Sequence, residues 1–205
     1  MSNPSKTRSI VYVGMTVALL AVSAWVAIPL GPIPFTLQTF VLAFALLVLR
    51  PGECFAALCA YLVLGAIGVP VFSGMRGGLG MLAGPTGGFL WGFVLGAAVA
   101  YLVLGLAERR ALPATRRDAT THKSRRVETA SELVACLAFL LVSYLCGWVQ
   151  LMFVAGLSPL AAFLGAIAPF AIPDIVKLVA AVAVARTVRK AVPSIRRRKD
   201  CSNPS

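Results

Sequence analysis

Charge is scarce in this chain of 205 residues. Asp, Glu, Lys and Arg together make up 13% of it, about half of the roughly 25% usual for a water-soluble domain. Acidic residues are the rarest part, seven against nineteen basic ones, and His122 is the single histidine. One histidine within a charged stretch gives no footing to a Ser-His-Asp triad or a histidine-built metal site. The five cysteines are odd in number, form no C-x-x-C pair and mostly sit inside apolar runs, where a thiol serves as a small hydrophobe. No Walker lysine follows a glycine-rich loop, so the chain carries no ATPase motif of its own. These absences argue against an enzyme, a metal centre or an organic cofactor.

What the chain has in quantity is apolar sequence: 59% hydrophobic residues and a mean hydropathy of +0.88. A transmembrane helix takes roughly 20 mostly apolar residues to cross about 30 Å of hydrocarbon. Six stretches approach that length, from about Ile10 to Leu30, Phe35 to Arg50, Cys54 to Pro70, Gly87 to Ala107 and Ser131 to Ala155, with a last one ending near Val188. The strict alternation of a membrane β-barrel is absent from them. The expectation is an all-α integral membrane protein with six transmembrane helices in a compact bundle.

The basic residues are sorted by segment. With six spans and the N-terminus inside, every Lys and Arg except Arg76 and Lys177 falls on the cytoplasmic side, as the positive-inside rule requires. Residues 1–9 are then a cytoplasmic N-terminus, 10–188 the membrane domain with a solvated basic linker at 108–130, and 189–205 a basic cytoplasmic tail. The tail suits anionic lipid headgroups of the bilayer. Nucleic acid is disfavoured, because no aromatic residues interleave with the basic ones. The apolar run to Leu30 exceeds the 7 to 15 residues or so of a signal-peptide core, so it is read as a retained span.

Polarity or glycine interrupts the apolar pattern in three places, all on the outer face in this topology: GPIPFTLQTF (31–40), VFSGMRGGLGMLAGPTGG (71–88) and PFAIPDIVK (169–177). The stretch from Phe35 to Arg50 would span only about 24 Å as a helix, so the residues before it must dip to membrane depth. Irregular backbone survives there only against protein or a wet cavity, and Thr36, Gln38 and Thr39 offer hydrogen bonds for such a wall. The second segment contains a weak G-x-G-x-x-A match without the strand and helix of a nucleotide site. It reads either as a flexible connecting loop or as a lid whose glycines let backbone approach a ligand. In the third, Asp174 and Lys177 lie three apart on one helix face. Pro173 is a favourable first helical residue, which would put Asp174 in the positive first turn. The pair reads either as a salt bridge or as the polar end of a ligand pocket near the extracytoplasmic face. On the first span, Gly14 and Ala18 form a small-xxx-small step suited to a close helix partner, inside the bundle or outside it.

These motifs carry a resemblance. GPIPFTLQTF, then YLVLGAIGVPVFSGMRGGLGMLAGPTGGFLWGF (61–93), then Asp174 and Lys177 in the last span, look like the BioY family, the biotin-specific substrate-binding subunits (S components) of energy-coupling factor (ECF) vitamin importers. The likeness runs from about Val11 to Val188. It implies a multi-pass protein of a prokaryotic cell membrane. Such a protein takes biotin from outside and passes it inward with a transmembrane coupling subunit and ATPase subunits. For the ureido head of biotin the candidates are Asp174, Lys177 and Gln38, with Thr36 and Thr86 beside them. Phe35 and Trp91 would wall the ring and chain. Arg76 or Lys177 would meet the carboxylate, and the Gly14–Ala18 face would meet the coupling subunit. The rivals are an S component for another vitamin and a non-transport membrane subunit.

Overall fold

The computed structural model describes residues 4–29, 33–115 and 122–192, and nearly all of them are helical. In chain order the elements are α1 (Pro4–Trp25), β1 (Ala27–Pro29), β2 (Pro34–Thr36), α2 (Gln38–Val48), α3 (Pro51–Ala66), α4 (Leu79–Ala83), α5 (Gly87–Thr115), α6 (His122–Ala155), α7 (Pro159–Ala166) and α8 (Ala168–Ala191). Among the described residues, four apolar helices are long enough to cross a bilayer: Lys6–Trp25, Gly87–Arg109, Val127–Ala155 and Ala168–Ala191. Two others, α2 and α3, are apolar but shorter.

The first interruption takes a form the apolar run did not announce. The chain leaves α1 at Trp25 and returns as a small antiparallel hairpin, with Ala27 opposite Thr36 and Ile28 opposite Phe35. Prolines at 29, 32 and 34 explain the break, since each lacks an N–H and pushes the residue before it out of the helical region. The helix expected from Phe35 therefore starts at Gln38 and has 11 residues, about 16 Å of rise. A tight α2–α3 corner follows. Pro51 opens α3, and the Arg50 N–H donates to Glu53 Oε2 at 3.3 Å, while Glu53 Oε1 accepts from Ser9 of α1 at 2.5 Å.

The basic linker is also more ordered than its composition suggested. Helix α5 continues through Thr115 and α6 begins at His122, so much of 108–130 extends the two neighbouring helices. Ala, Leu, Glu and Arg in this stretch are good helix formers. The two helices lie close because Gly88, Gly92 and Gly96 repeat at one-turn spacing along α5 and meet α6. A Cβ on Gly92 would fall 2.7 Å from Ser143 Cα, and one on Gly96 would fall 2.7 Å from the Phe139 carbonyl oxygen. Ser143 Oγ donates to the Gly92 carbonyl at 3.1 Å. Small residues at such a crossing let two backbones approach where lipid supplies no hydrophobic drive.

The start of the last helix, which Pro169 and Pro173 leave ambiguous in the sequence, lies ahead of both prolines. Ser158 caps α7, its hydroxyl accepting from Ala161 N at 3.3 Å. After the single residue Ile167, α8 begins at Ala168 and carries Pro173 in its interior. Asp174 thus lies beyond the first turn, where the helix dipole has faded, and its charge needs other support. At the other end of α8, Arg186 (2.8 Å) and Arg189 both pair with Glu132 of α6.

Two groups of buried side chains form the interior. Leu20, Leu46, Tyr61, Phe72 and Phe139 belong to one, Leu47, Cys136, Leu151, Phe170 and Leu178 to the other. Large apolar side chains also cover the outside, Phe153 at 82% and Ile172 at 76% exposed among them. An apolar exterior of this kind suits lipid and not water.

Candidate functional site

Between the two groups lies an open, mostly apolar cavity with a few convergent polar side chains, the usual character of a small-molecule site. The hairpin brings Phe35 and Thr36 to its wall, the first turn of α2 brings Gln38 and Thr39, and α8 brings Phe170, Asp174 and Lys177. The lining is completed by Phe72 and Ser73 after α3, Met81 of α4, Thr86, Phe89, Leu90 and Phe93 at α5, and Tyr144 of α6.

The polar wall is centred on Asp174, which is 4% exposed. Its Oδ1 accepts from Lys177 Nζ at 2.7 Å and from Thr39 Oγ1 at 3.0 Å, and its Oδ2 accepts from the Tyr144 hydroxyl at 2.7 Å. Lys177 Nζ also donates to the Thr36 carbonyl at 2.5 Å and sits 3.6 Å from the Phe35 ring centroid. Two ionised groups withdrawn from water are tolerable only when paired and hydrogen-bonded, and here both conditions hold. One carboxylate therefore joins α8, α6 and α2, while the ammonium fastens the hairpin to α8. Beside it Gln38 Nε2 donates to the Tyr61 hydroxyl at 2.7 Å, which donates to the Val71 carbonyl at 2.9 Å.

The remaining wall is aromatic. Phe35 stacks on Phe170 with centroids 6.0 Å apart, and Phe89 meets Tyr144 edge-on at 6.4 Å. The cavity thus offers a flat, apolar slot with a charged and hydrogen-bonding end.

Six of the eight residues singled out from the sequence, Phe35, Thr36, Gln38, Thr86, Asp174 and Lys177, line this cavity. Two do not. Trp91 is 49% exposed: with about 3.6 residues per turn, Phe89 and Phe93 share the inner face of α5 and position 91 turns outward. Arg76 is exposed, and its backbone closes a bridge to Phe72 around a tight turn in which Gly74 and Met75 both have positive φ. Gly14 and Ala18 are exposed on α1, with no atom within 4 Å of where a Gly14 Cβ would lie. Tyr144, Phe72, Phe89 and Phe93 also line the cavity and carry no mark in the sequence motifs as ligand contacts. The signal for Tyr144 was a phenol inside an apolar span, which must find a hydrogen-bond partner there.

Comparison with known proteins agrees over most of the chain. The family model described as BioY family matches residues 1–194. A protein named "Probable biotin transporter BioY" from Pyrococcus horikoshii is 34% identical over 90% of this chain and 98% of its own length. "Biotin transporter BioY" of Rhodobacter capsulatus is 37% identical over 91% of this chain and 96% of its own. For "Biotin transporter BioY" of Thermotoga maritima the identity is 47%, over 50% of this chain and 59% of that protein. Among solved structures, the S-component for biotin from an ECF-type ABC transporter has the same fold, with a TM-score of 0.76 at 24% identity over 93% of this chain and 95% of the other.

The polar wall makes a ranking of stabilities in the absence of ligand. Tyr144→Phe removes one hydrogen bond to a charged acceptor, a loss of about 1.5 to 3 kcal/mol. Lys177→Met leaves a buried carboxylate without its counter-ion, a loss of about 3 to 5 kcal/mol. Thermal unfolding in detergent should therefore place Lys177→Met below Tyr144→Phe, and both below the parent. A Lys177→Met protein as stable as the parent would mean that no buried ion pair exists.

Proposed function

The chain belongs to the BioY family, and on that premise we propose that it captures biotin from outside the cell as the S component of an ECF transporter. The observation that carries the reading is the cavity with a charged, hydrogen-bonding end at Asp174 and Lys177 facing an aromatic slot. The ureido head of biotin presents two N–H donors and a carbonyl oxygen. Asp174 accepts three hydrogen bonds, one fewer than the roughly four lone-pair sites of a carboxylate, which leaves room for a ligand N–H. Gln38 has a second amide proton for a ligand oxygen. Phe35, Phe170, Phe89 and Phe93 suit the fused ring and the valerate chain. Lys177 lines the cavity and Arg76 does not, which favours Lys177 as the cation nearest the ligand.

In the membrane, α1, α2 with its hairpin, α3, α5, α6 and α8 make six crossings of a compact bundle. The distribution of Lys and Arg supports cytoplasmic termini and a cavity near the extracytoplasmic face. Release of biotin inward needs energy that a chain without an ATPase motif does not supply, so it works with a transmembrane coupling subunit and ATPase subunits. The exposed Gly14–Ala18 face of α1, with open space over Gly14, supports a partner helix there over packing within the bundle.

The direct test is equilibrium binding. The detergent-purified protein should bind biotin without ATP at sub-micromolar dissociation constant, about −8 kcal/mol or better, without competition from riboflavin or thiamine. Right-side-out vesicles should bind added biotin equally well. Retention of labelled biotin that excess unlabelled biotin fails to reduce would refute the assignment, and a site reachable only from inverted vesicles would refute the orientation.

The partner surface has a separate test. Gly14→Leu should weaken co-purification with the coupling subunit and leave biotin affinity within about threefold of the parent, since a bulky residue hinders close helix approach. Simultaneous loss of biotin binding would move Gly14 back into the bundle's own packing.

A further inference from the structure

The glycine-rich segment between α3 and α5 closes one side of the cavity, to which it contributes Met81 and Thr86. Its only helix, α4, has five residues, too short to persist by itself in the absence of tertiary contacts. The last carbonyls of such a helix have no partner within it. Two of the carbonyls at this point are taken by one side chain from another element: Gln150 Nε2 of α6 donates to the Leu82 carbonyl at 2.9 Å and to the Gly84 carbonyl at 2.8 Å. Both amide protons are used, so the side chain is held at two points.

The surrounding residues are fitted to this contact. Gly84 O also accepts from Gly87 N at 3.0 Å, which closes the turn around Pro85. A Cβ on Gly87 would lie 1.8 Å from the Leu82 carbonyl oxygen and 2.6 Å from Gln150 Nε2, and one on Gly88 would lie 2.7 Å from Gln150 Cβ. The paired glycines of LAGPTGG (82–88) thus leave the space that the amide occupies.

We propose that Gln150 is a positioning residue that latches the 79–88 segment over the ligand cavity and thereby sets how fast ligand escapes. The contact does not touch the cavity; it acts through the backbone that carries Met81 and Thr86. The role rests on the reading of the cavity as a biotin site, and the experiment separates the two. Gln150→Leu and Gln150→Met remove both donors at similar volume and are compared with the parent as purified full-length protein in detergent.

Hydrogen exchange without ligand should accelerate at 79–88 by roughly tenfold, the factor that corresponds to about 1.4 kcal/mol, with α5 beyond Phe93 and α6 before Cys146 unchanged. Biotin dissociation should accelerate by a similar factor, with association no slower. Unchanged exchange at 79–88, unchanged dissociation, or faster exchange spread equally along α5 and α6 would overturn the latch. So would failure of both variants to remain monodisperse, because Gln150 would then be a folding determinant. If the parent itself binds no biotin, the functional reading falls, while the exchange measurement still decides whether Gln150 holds the segment.

Discussion

The Asp174 carboxylate is the point on which the rest of the site depends. It is withdrawn from solvent, carries its counter-ion three residues away on the same helix, and is bonded by side chains from α2 and α6. A charge in this position costs several kcal/mol unless every partner is in place. The same partners fix three helices against one another at the cavity wall, so the polar end of the site and its geometry come from one set of contacts.

The short hairpin and the start of α2 follow from that constraint. Backbone that leaves a helix beside an apolar interior must have its polar groups met by protein or by water. The hairpin pairs with itself, and Lys177 takes the Thr36 carbonyl. The prolines that break the helix, the ammonium that receives the freed carbonyl and the aromatic rings that shield the ammonium are parts of one arrangement. Across the cavity the glycines of α5 allow α6 to lie close, which brings Tyr144 within reach of Asp174.

Much of this was legible in the residues. Apolar runs and sorted charges pointed to membrane helices, and the polar interruptions pointed to Thr36, Gln38, Asp174 and Lys177. Less visible were features that depend on rotation or on distant pairing. Trp91 looked like a wall residue by sequence proximity, but its angular position on α5 turns it outward, while Phe89 and Phe93 turn in. Arg76 looked like a ligand cation because of its charge, but the tight turn around Gly74 and Met75 leaves it at the surface. Pro173 looked like a helix start, although Ala168 is the first residue of α8. A proline inside an apolar helix is tolerated when neighbouring elements make up for the lost bond. Tyr144 and Gln150 emerge only once α6 is set against its neighbours, because their partners lie 30 and more residues away.

The central claim is that Asp174 and Lys177 contact the ligand and are more than a bridge between helices. Single substitutions confuse the two roles, since each strands a buried charge. The deciding measurement is the biotin affinity of the double variant Asp174→Asn with Lys177→Met, taken on protein that remains monodisperse in detergent. If the pair holds the ligand, the charged hydrogen bonds to it are lost at about 1.5 to 3 kcal/mol each, and the double variant binds no better than the weaker single variant. Affinity close to that of the parent would contradict the account and leave Gln38 and Thr36 as the polar contacts.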